Sequence, residues 1–320
     1  MIDVRSSARF ISEQARFVNI DDRAVDHVVW KIASHQFATP TSLEMHPFKS
    51  RSPEEIAMWC FVLDSVNFCF WADPGEMRWS VSNQRREQVD GYWALVAALL
   101  RGVKEVPLLD PTWLSTISSK DTHQLFRGKG EIPLIDQRQL ALQELGQSLL
   151  RSKKSAWEVV QNSKGDVIEF IDTVLSLFPL FRDESTYQDR QVGLYKRAQI
   201  LCQDLSLEFS LVGIRPFTNL QSLTAFADYK LPQLFRDEGV FQYNPSLSEK
   251  IDATREFTAG SSEEVEIRGC TIHVVELIRD RLSGRGVDVT SADLDNVLWT
   301  EAVKRGQSMK PYHRVRTTNY

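Results

Sequence analysis

Several signatures that would assign a function directly are absent from this sequence of 320 residues. It has no glycine-rich phosphate loop, no nucleophile elbow, no HExxH zinc motif and no set of kinase motifs. The four cysteines form no CxxC pair and lie inside apolar stretches, and the six histidines are scattered. The sequence therefore predicts buried free thiols, and we expect neither a metal ion nor an organic cofactor.

Long apolar runs and an excess of positive charge are also missing. The N-terminal residues have no apolar signal core, and the most apolar stretch, 56–72, is broken by Asp64, Ser65 and Asn67. Asp and Glu (43) outnumber Lys and Arg (38), which gives a net charge of −5. Because no segment is apolar enough for a signal core or a membrane span, we expect a cytoplasmic protein that does not bind a membrane. Because a broad nucleic-acid-binding surface needs a basic face, we expect no polymeric nucleic acid as a partner.

Helix signals are abundant. The run SPEE at 52–55 combines a capping serine with proline at the first helical position. Ser155, Ser246 and Ser261 each precede a glutamate by three residues, which is the capping-box spacing. Apolar residues recur at helical spacing over 194–209. These patterns predict helices over most of the chain.

Strand signals are few. Residues 78–82 favour one strand of a hairpin, and 17–20 are ambiguous. No repeat, low-complexity tract or long linker divides the chain. The sequence thus predicts a mainly α fold with at most a small β-hairpin or sheet. We expect a single domain over 1–320, as one body or as two helical lobes.

A break between two helices is predicted around Asp228. Pro232 disfavours helix at Leu231, so the next helix is expected to start at Pro232. A break of this kind can present Asp228 into a cleft. On this run alone, the simpler interpretation is that Asp228 caps the second helix.

A second candidate carboxylate is Asp295. Thr290 or Ser291 is expected to cap its helix, and helical spacing puts Asp295 beside Leu298 and Trp299. The simpler interpretation is a carboxylate at the rim of an amphipathic helix, facing water. The alternative is a partly desolvated carboxylate, which would be neutral or would need a nearby cation, and which indicates function.

Aromatic residues are dense over 66–71 and 91–93. Their faces can stack on a nucleobase, because every base has a complementary π-face. Ordinary hydrophobic core is the simpler interpretation of such a cluster.

Two basic stretches could bind an anion. Lys196 and Arg197 begin a predicted helix, where cations oppose the macrodipole. A nearby carboxylate or anion would explain them, and a surface ion pair would serve equally well. The tail over 310–320 carries several cations and hydroxyls. A terminus usually frays, but this tail alternates polar with apolar or aromatic residues, which favours a docked one.

Taken together, six runs resemble the queuosine-salvage family, in the same order from about Trp30 to Tyr320. The runs are DSVNFCFW at 64–71, GYWAL at 91–95, YKRAQIL at 195–201, FADY with LPQ at 226–233, EVEIRGC at 264–270 and HRVR at 313–316. The resemblance implies a helical fold similar to DNA glycosylases and hydrolysis of queuosine 5′-monophosphate to queuine and ribose 5-phosphate. It also implies that queuine is recovered for tRNA modification without a cofactor.

The resemblance also implies roles for individual residues. Asp295, within LDNVLW at 294–299, matches the family's nucleophile or transition-state stabiliser, and Asp228 matches a ligand of the base. We take these two aspartates as the catalytic pair. The predicted base-binding positions are His46, Phe226, Ala227, Asp228, Asn296 and Thr300. Asn296 stands where some relatives carry an aromatic residue, and Thr300 where an acidic residue occurs, so the finer base contacts differ.

The chemistry of the implied reaction fits these residue types. Breaking a ribosyl C–N bond builds positive charge on the sugar, which a dry carboxylate such as Asp295 can stabilise or attack. Queuine carries carbon in place of N7, so protonation of N7 is closed as a route. Asp228 can accept from the two adjacent donors of a guanine-like base. The cations available for the 5′-phosphate are Lys196, Arg197, His313, Arg314 and Arg316.

Two other functions stay open from the sequence. One is a DNA or RNA base-excision glycosylase on a similar scaffold, which the acidic composition disfavours. The other is a non-catalytic protein that binds queuine or its nucleotide. For the enzyme, the expected partner is a small nucleotide and the expected state is a monomer.

Overall fold

Helices dominate the computed structural model, which describes residues 1–37, 48 and 52–320. The α-helices are α1 (Val4–Glu13), α2 (Asp22–Ala33), α3 (Pro53–Ser65), α4 (Gly91–Glu105), α5 (Pro111–Ser115), α6 (Ser119–Leu125), α7 (Ile135–Ser152), α8 (Ala156–Asn162), α9 (Val167–Leu177), α10 (Lys196–Ser210), α11 (Lys230–Asp237), α12 (Pro245–Asp252), α13 (Ser262–Ser283) and α14 (Ser291–Arg305). The strands are β1 (Val18–Ile20), β2 (Ser80–Ser82), β3 (Gln88–Asp90), β4 (Glu184–Tyr187), β5 (Arg190–Gly193), β6 (Phe241–Tyr243), β7 (Glu256–Phe257) and β8 (Arg314–Val315). The mainly α prediction is confirmed.

Most of the predicted helix starts are confirmed by their hydrogen bonds. Ser52 caps α3 with Pro53 in its first turn, and Ser155 forms a complete capping box at the start of α8. The predicted cap at Ser246 is wrong. Asn244 caps α12 instead, and Pro245 occupies the first helical position. Proline fits there because its missing N–H would have no helical partner.

The helices pack in two groups. In one group α13 contacts α1, α2, α11 and α14; in the other α3 contacts α7, α8 and α10. Helix α13 is buried on several faces, with Val265, Ile267, Ile272 and Val275 all inside, as expected of a helix covered by neighbours. The buried apolar side chains of both groups belong to one continuous cluster.

The strands among the described residues form four two-stranded pairs. β2 and β3 make the hairpin that residues 78–82 predicted, with Val81 opposite Val89. The ambiguous stretch 17–20 contributes β1, which pairs with the distant β6. β8, in the tail, pairs in parallel with β7, and His313, Val315 and Tyr320 are buried. The expectation of a docked tail is confirmed.

The four cysteines are free and buried, as predicted. None of the helices in the described parts of the chain combines the length and the apolar character needed to span a bilayer.

Candidate active site

A cavity of about 360 Å³ lies between α10 of one helix group and α14 of the other, a volume that suits a small ligand. Its charged lining residues are Arg78, Asp90, Lys196, Asp204, Asp228, Lys230 and Asp295. Its aromatic lining residues are Phe70, Tyr92, Trp93, Phe226, Tyr229, Trp299 and Tyr320. The aromatic runs therefore contribute both to the core and to this wall.

Helix α10 lines the cavity with one face, beginning at its first residue, Lys196. Tyr195 precedes the helix in the left-handed conformation, with φ of 49°, and Lys196 follows in the first turn. Lys196, Ile200 and Gln203 line the cavity together, because residues three and four apart share one face of a helix.

Lys196 is a buried cation surrounded by carboxylates. Burial lowers its pKa, and the negative charges of Asp228, Asp64 and Asp295 oppose that effect, whereas the neighbouring Arg197 adds to it. These carboxylates explain why a lysine is tolerated at the positive end of the α10 macrodipole. A surface ion pair, the alternative drawn from the sequence, does not describe this residue.

Asp228 lines the cavity, as the cleft interpretation expected, whereas Tyr229 and not Asp228 occupies the N-cap position of α11. Its Oδ1 accepts the backbone N–H of Lys230 at 2.6 Å, at the start of α11. The helix thus begins two residues before Pro232, which corrects the predicted start. Burial raises the pKa of Asp228, and the nearby Lys196 cation opposes this rise.

Asp295 faces the cavity rather than bulk water, so the rim interpretation is wrong. Only 4% of Asp295 is exposed, and its Oδ1 accepts the backbone N–H of Phe226 at 2.8 Å. Burial raises the pKa of Asp295 to about 7; Asp228 also raises it, whereas the Phe226 N–H and Lys196 lower it. A carboxylate in this environment changes charge near neutral pH.

The predicted base-binding residues divide into two sets. Phe226, Asp228 and Asn296 line the cavity together with Asp295. Ala227 and Thr300 do not line it, which departs from the prediction. The carbonyl of Ala227 instead accepts a hydrogen bond from Arg268 on the far side of the segment. His46 lies outside the described residues.

Arg197 was predicted to bind phosphate, and its placement corrects that prediction. Its guanidinium is buried and donates to the carbonyls of Asp64, Ser65 and Leu180. The first two carbonyls belong to the last turn of α3, which has no helical donors for them. Arg197 therefore closes the end of α3 and does not line the cavity.

The three phosphate-binding residues predicted in the tail, His313, Arg314 and Arg316, also lie away from the cavity lining, contrary to prediction. Burial beside Arg268 lowers the pKa of His313 to about 3, so the ring is neutral. Arg314 lies over the Trp71 ring. Arg316 forms ion pairs with Asp73 and Glu256. The structure therefore places none of these three side chains at the cavity.

Two cations of the cavity were missed from the sequence. Arg78, two residues before β2, lines the cavity and forms an ion pair with Asp90 at 3.0 Å. Lys230 lies over the ring of Tyr312, with 5.3 Å from Nζ to the centroid. Lys230 could have been predicted from the sequence, because it follows Asp228 by two residues at the same break between helices. Nothing in the sequence near Arg78 indicates that it reaches the same space.

Comparisons with known proteins agree on one family. A family model described as queuosine salvage protein matches residues 45–320. A protein of Sphaerobacter thermophilus is 39% identical over 322 residues, covering 100% of this chain and 98% of the relative. Proteins of Mus musculus and Bos taurus are each 32% identical, covering 99% and 100% of this chain and 98% and 99% of their own lengths. All three are named queuosine 5′-phosphate N-glycosylase/hydrolase. The chain therefore belongs to the queuosine salvage protein family.

Proposed function

We propose that this protein hydrolyses the N-glycosidic bond of queuosine 5′-monophosphate, releasing queuine and ribose 5-phosphate so that queuine can be reused in tRNA modification. The observation that carries the proposal is the pair of dry carboxylates, Asp228 and Asp295, which share one cavity with Lys196. The names of the relatives supply the substrate, and the cavity supplies groups that suit its sugar, base and phosphate.

Asp295 is assigned to the sugar. The breaking C–N bond leaves positive charge on C1′ and its ring oxygen, and a carboxylate stabilises this charge best where water is excluded. The Phe226 N–H holds the ionised form of Asp295 in place, and Lys196 supports it electrostatically. Asp295 then either stabilises the transition state or attacks C1′, and water completes the hydrolysis.

Asp228 and Phe226 are assigned to the base. Both residues are buried, so little water competes for the Asp228 carboxylate, and it can bind two neighbouring N–H donors strongly. The Phe226 ring offers a face on which a deazaguanine can stack. Because carbon replaces N7 in queuine, the negative charge of the leaving base must be stabilised through hydrogen bonds elsewhere on the ring.

Lys230 and Arg78 are assigned to the 5′-phosphate. Lys196, Lys230 and Arg78 are the cations lining the cavity within the described part of the chain. Lys196 faces carboxylates, as shown above. Burial lowers the pKa of Lys230, Asp228 opposes this effect, and the like charge of Arg78 lowers the pKa further. Two cations that repel each other form a site that a doubly charged phosphate would stabilise.

The proposed reaction is tested by incubating the purified protein with queuosine 5′-monophosphate and measuring released queuine by mass spectrometry. We expect Asp295→Asn to fold and to lose turnover by about 10²- to 10³-fold, as for other electrostatic catalytic groups. Asp293→Asn is the matched control, because Asp293 is an exposed carboxylate two residues away on α14, where it pairs with Thr290 in the capping box and does not line the cavity. Nucleotide binding without hydrolysis by the wild-type protein would indicate a binding protein instead. Release only from a queuosine-containing oligonucleotide would indicate a polymer substrate.

The phosphate assignment has its own test. We expect Lys230→Gln to raise the KM for the monophosphate by about 10- to 100-fold, the value of one charge-assisted hydrogen bond. The kinetics with the nucleoside queuosine, which lacks phosphate, should change much less, since there Lys230 acts only through its charge on Asp228. Lys120→Gln, at an exposed position on α6, serves as control. Equal loss on nucleoside and nucleotide would contradict the assignment.

A further inference from the structure

Arg268 is a buried cation in the middle of α13 that does not line the cavity. Only 2% of the residue is exposed. Its two terminal nitrogens donate to the two carboxylate oxygens of Asp183, at 2.8 and 2.6 Å. A longer contact of 3.4 Å joins Nη1 to Glu264 Oε1. The pairing with Asp183 is the bidentate geometry that fixes both direction and distance.

Each member of this ion pair also forms a hydrogen bond to the backbone of a segment that lines the cavity. Arg268 Nε donates to the carbonyl of Ala227, 3.0 Å away, at the centre of the segment 226–228. Asp183 Oδ2 accepts the backbone N–H of Lys196, 3.2 Å away, in the first turn of α10. The base-binding segment and the cavity lysine are therefore attached to one another through a single ion pair.

Tyr320 joins a third wall to the same pair. The Arg268 guanidinium lies 4.3 Å from the centroid of the Tyr320 ring, and Tyr320 is one of the residues that line the cavity. The backbone oxygen of Tyr320 accepts the N–H of Cys69 at 2.8 Å, next to the cavity residue Phe70.

A buried ion pair is a costly way to fill this part of the molecule. On α13 the buried residues near Arg268 in sequence include the apolar Ile267, Cys270 and Ile272 as well as the polar Glu264 and Thr271. Removing charges from water costs several kcal/mol per ion, and apolar groups of similar volume often leave a protein as stable or more stable. Stability alone therefore does not account for the pair. The pair is better explained by the geometry that it imposes on three parts of the cavity wall.

We propose that the Arg268–Asp183 pair is a positioning unit of the active site, which fixes the segment 226–228 against the first turn of α10. The inference rests on the proposed function, since the site that it organises is the one assigned to that reaction. The pair contacts no substrate. It acts through the Phe226 N–H, which Asp295 accepts, and through the place of Lys196 in the first turn.

Loosening the pair should change the environment of Asp295. The charged groups that act on Asp295 are Asp228 and Lys196. The other charged residues of the cavity wall are Arg78, Asp90, Asp204 and Lys230. The Phe226 N–H favours the ionised carboxylate, so withdrawing it raises the pKa of Asp295 further. A variant with a loosened pair should need a higher pH to reach full activity.

The test uses the full-length protein and the variants Arg268→Lys and Asp183→Asn, which keep charge or shape but lose the bidentate pairing. Arg236→Lys is the matched control: Arg236 also binds an aspartate, Asp252, through two nitrogens at 2.7 and 2.9 Å, away from the cavity. Thermal melts establish folding, and kcat and KM are measured from pH 5.5 to 9. Carboxyl ¹³C NMR, assigned with Asp295→Asn, follows the titration of Asp295 independently of turnover.

We expect both site variants to fold, to lose kcat by about 10-fold or more, as small misplacements in an active site do, and to shift the acidic limb upward. The NMR titration of Asp295 should move in the same direction, and Arg236→Lys should change neither. Folded variants with wild-type limbs and titration would overturn the proposal. Failure of both variants to fold, with Arg236→Lys folded, would make the pair structural and also overturn it. If the wild-type protein releases no queuine, the proposed function fails while the NMR result still decides whether the pair positions Asp295.

Discussion

Asp295 combines a large desolvation with a small amount of compensation. Burial raises its pKa to about 7, while one backbone N–H and one lysine act in the opposite direction. The same burial that makes the carboxylate costly to ionise makes it effective against a cationic sugar, because little water competes for the charge. The residue is thus kept near the point where a small change in its surroundings alters its charge.

The pH profile of activity should report this balance. If ionised Asp295 is required, kcat/KM for queuosine 5′-monophosphate should rise through an acidic limb near pH 7, since the free enzyme's essential groups set this profile. Lys196→Gln should move the limb upward, because the lysine cation lowers the pKa of Asp295. Steady-state kinetics from pH 5.5 to 9 measure both limbs. A flat profile over this range would remove ionised Asp295 from the mechanism.

At the residue scale, the sequence indicates which of its candidate carboxylates line the cavity better than which of its candidate cations do. Asp228 and Asp295 stand at a helix break and on an apolar helical face, and both positions restrict where a side chain can point. Arg197 and Arg316 carry long side chains whose partners lie far away in the sequence, so their charge alone does not indicate what they bind. Arg78 reaches the cavity only because a hairpin is folded against α4.

The start of α10 is the element on which the cavity most depends. Tyr195 adopts a left-handed conformation that costs an aromatic residue about 1 kcal/mol or more. Its ring is buried, and its hydroxyl donates to Glu184 and accepts the N–H of Ile2. These contacts hold the strained residue in place, and the strain aims Lys196 into the cavity.

Gly193→Ala should disturb this element. A Cβ at Gly193 would lie 2.5 Å from the Tyr195 ring, which is too buried to move aside freely. We expect kcat/KM to fall by about 10-fold or more, because Lys196 would shift with the helix start. Gly213→Ala is the control: its φ is +76°, but a Cβ there meets nothing within 4 Å. It should lose stability without losing kcat/KM in the folded fraction. Equal activity of the two variants would contradict the role given to Tyr195.

Helix starts with a capping serine and a following proline or glutamate could be predicted because their hydrogen bonds are local. The start of α12 was predicted two residues late, since Asn244 and Pro245 offered a competing and better signal. The pairing of β1 with β6 could not be predicted. Each strand has only three residues, and the partners are more than 200 positions apart.

For the molecule as a whole, the buried carboxylates Asp228 and Asp295 lower the free energy of unfolding when they are ionised. Asp228 and Asp295 both have a raised pKa in the folded protein. The folded state therefore binds protons that the unfolded state releases, and stability falls as pH rises between the two pKa values. Catalytic groups commonly carry such a cost.

Asp295→Asn should therefore stabilise the protein at pH 8 while lowering turnover by about 10²- to 10³-fold. A pKa shift from 3.8 to about 7 predicts a gain in the free energy of unfolding on the order of 4 kcal/mol. The gain should shrink at pH 5, where folded Asp295 is already protonated. Urea unfolding at both pH values measures it. Asp293→Asn should change stability by less than about 1 kcal/mol, equally at both. A loss of stability at pH 8 would show that Asp295 is not held at a cost.

The cavity wall is assembled from residues as far apart in sequence as Asn67 and Tyr320. Contacts of such long sequence separation form late in folding, because closing large loops must come before them. A partly folded chain with only one helix group in place would have half a wall and no ligand affinity. A ligand that binds there would require the completely folded chain, and it would stabilise the whole fold rather than one segment.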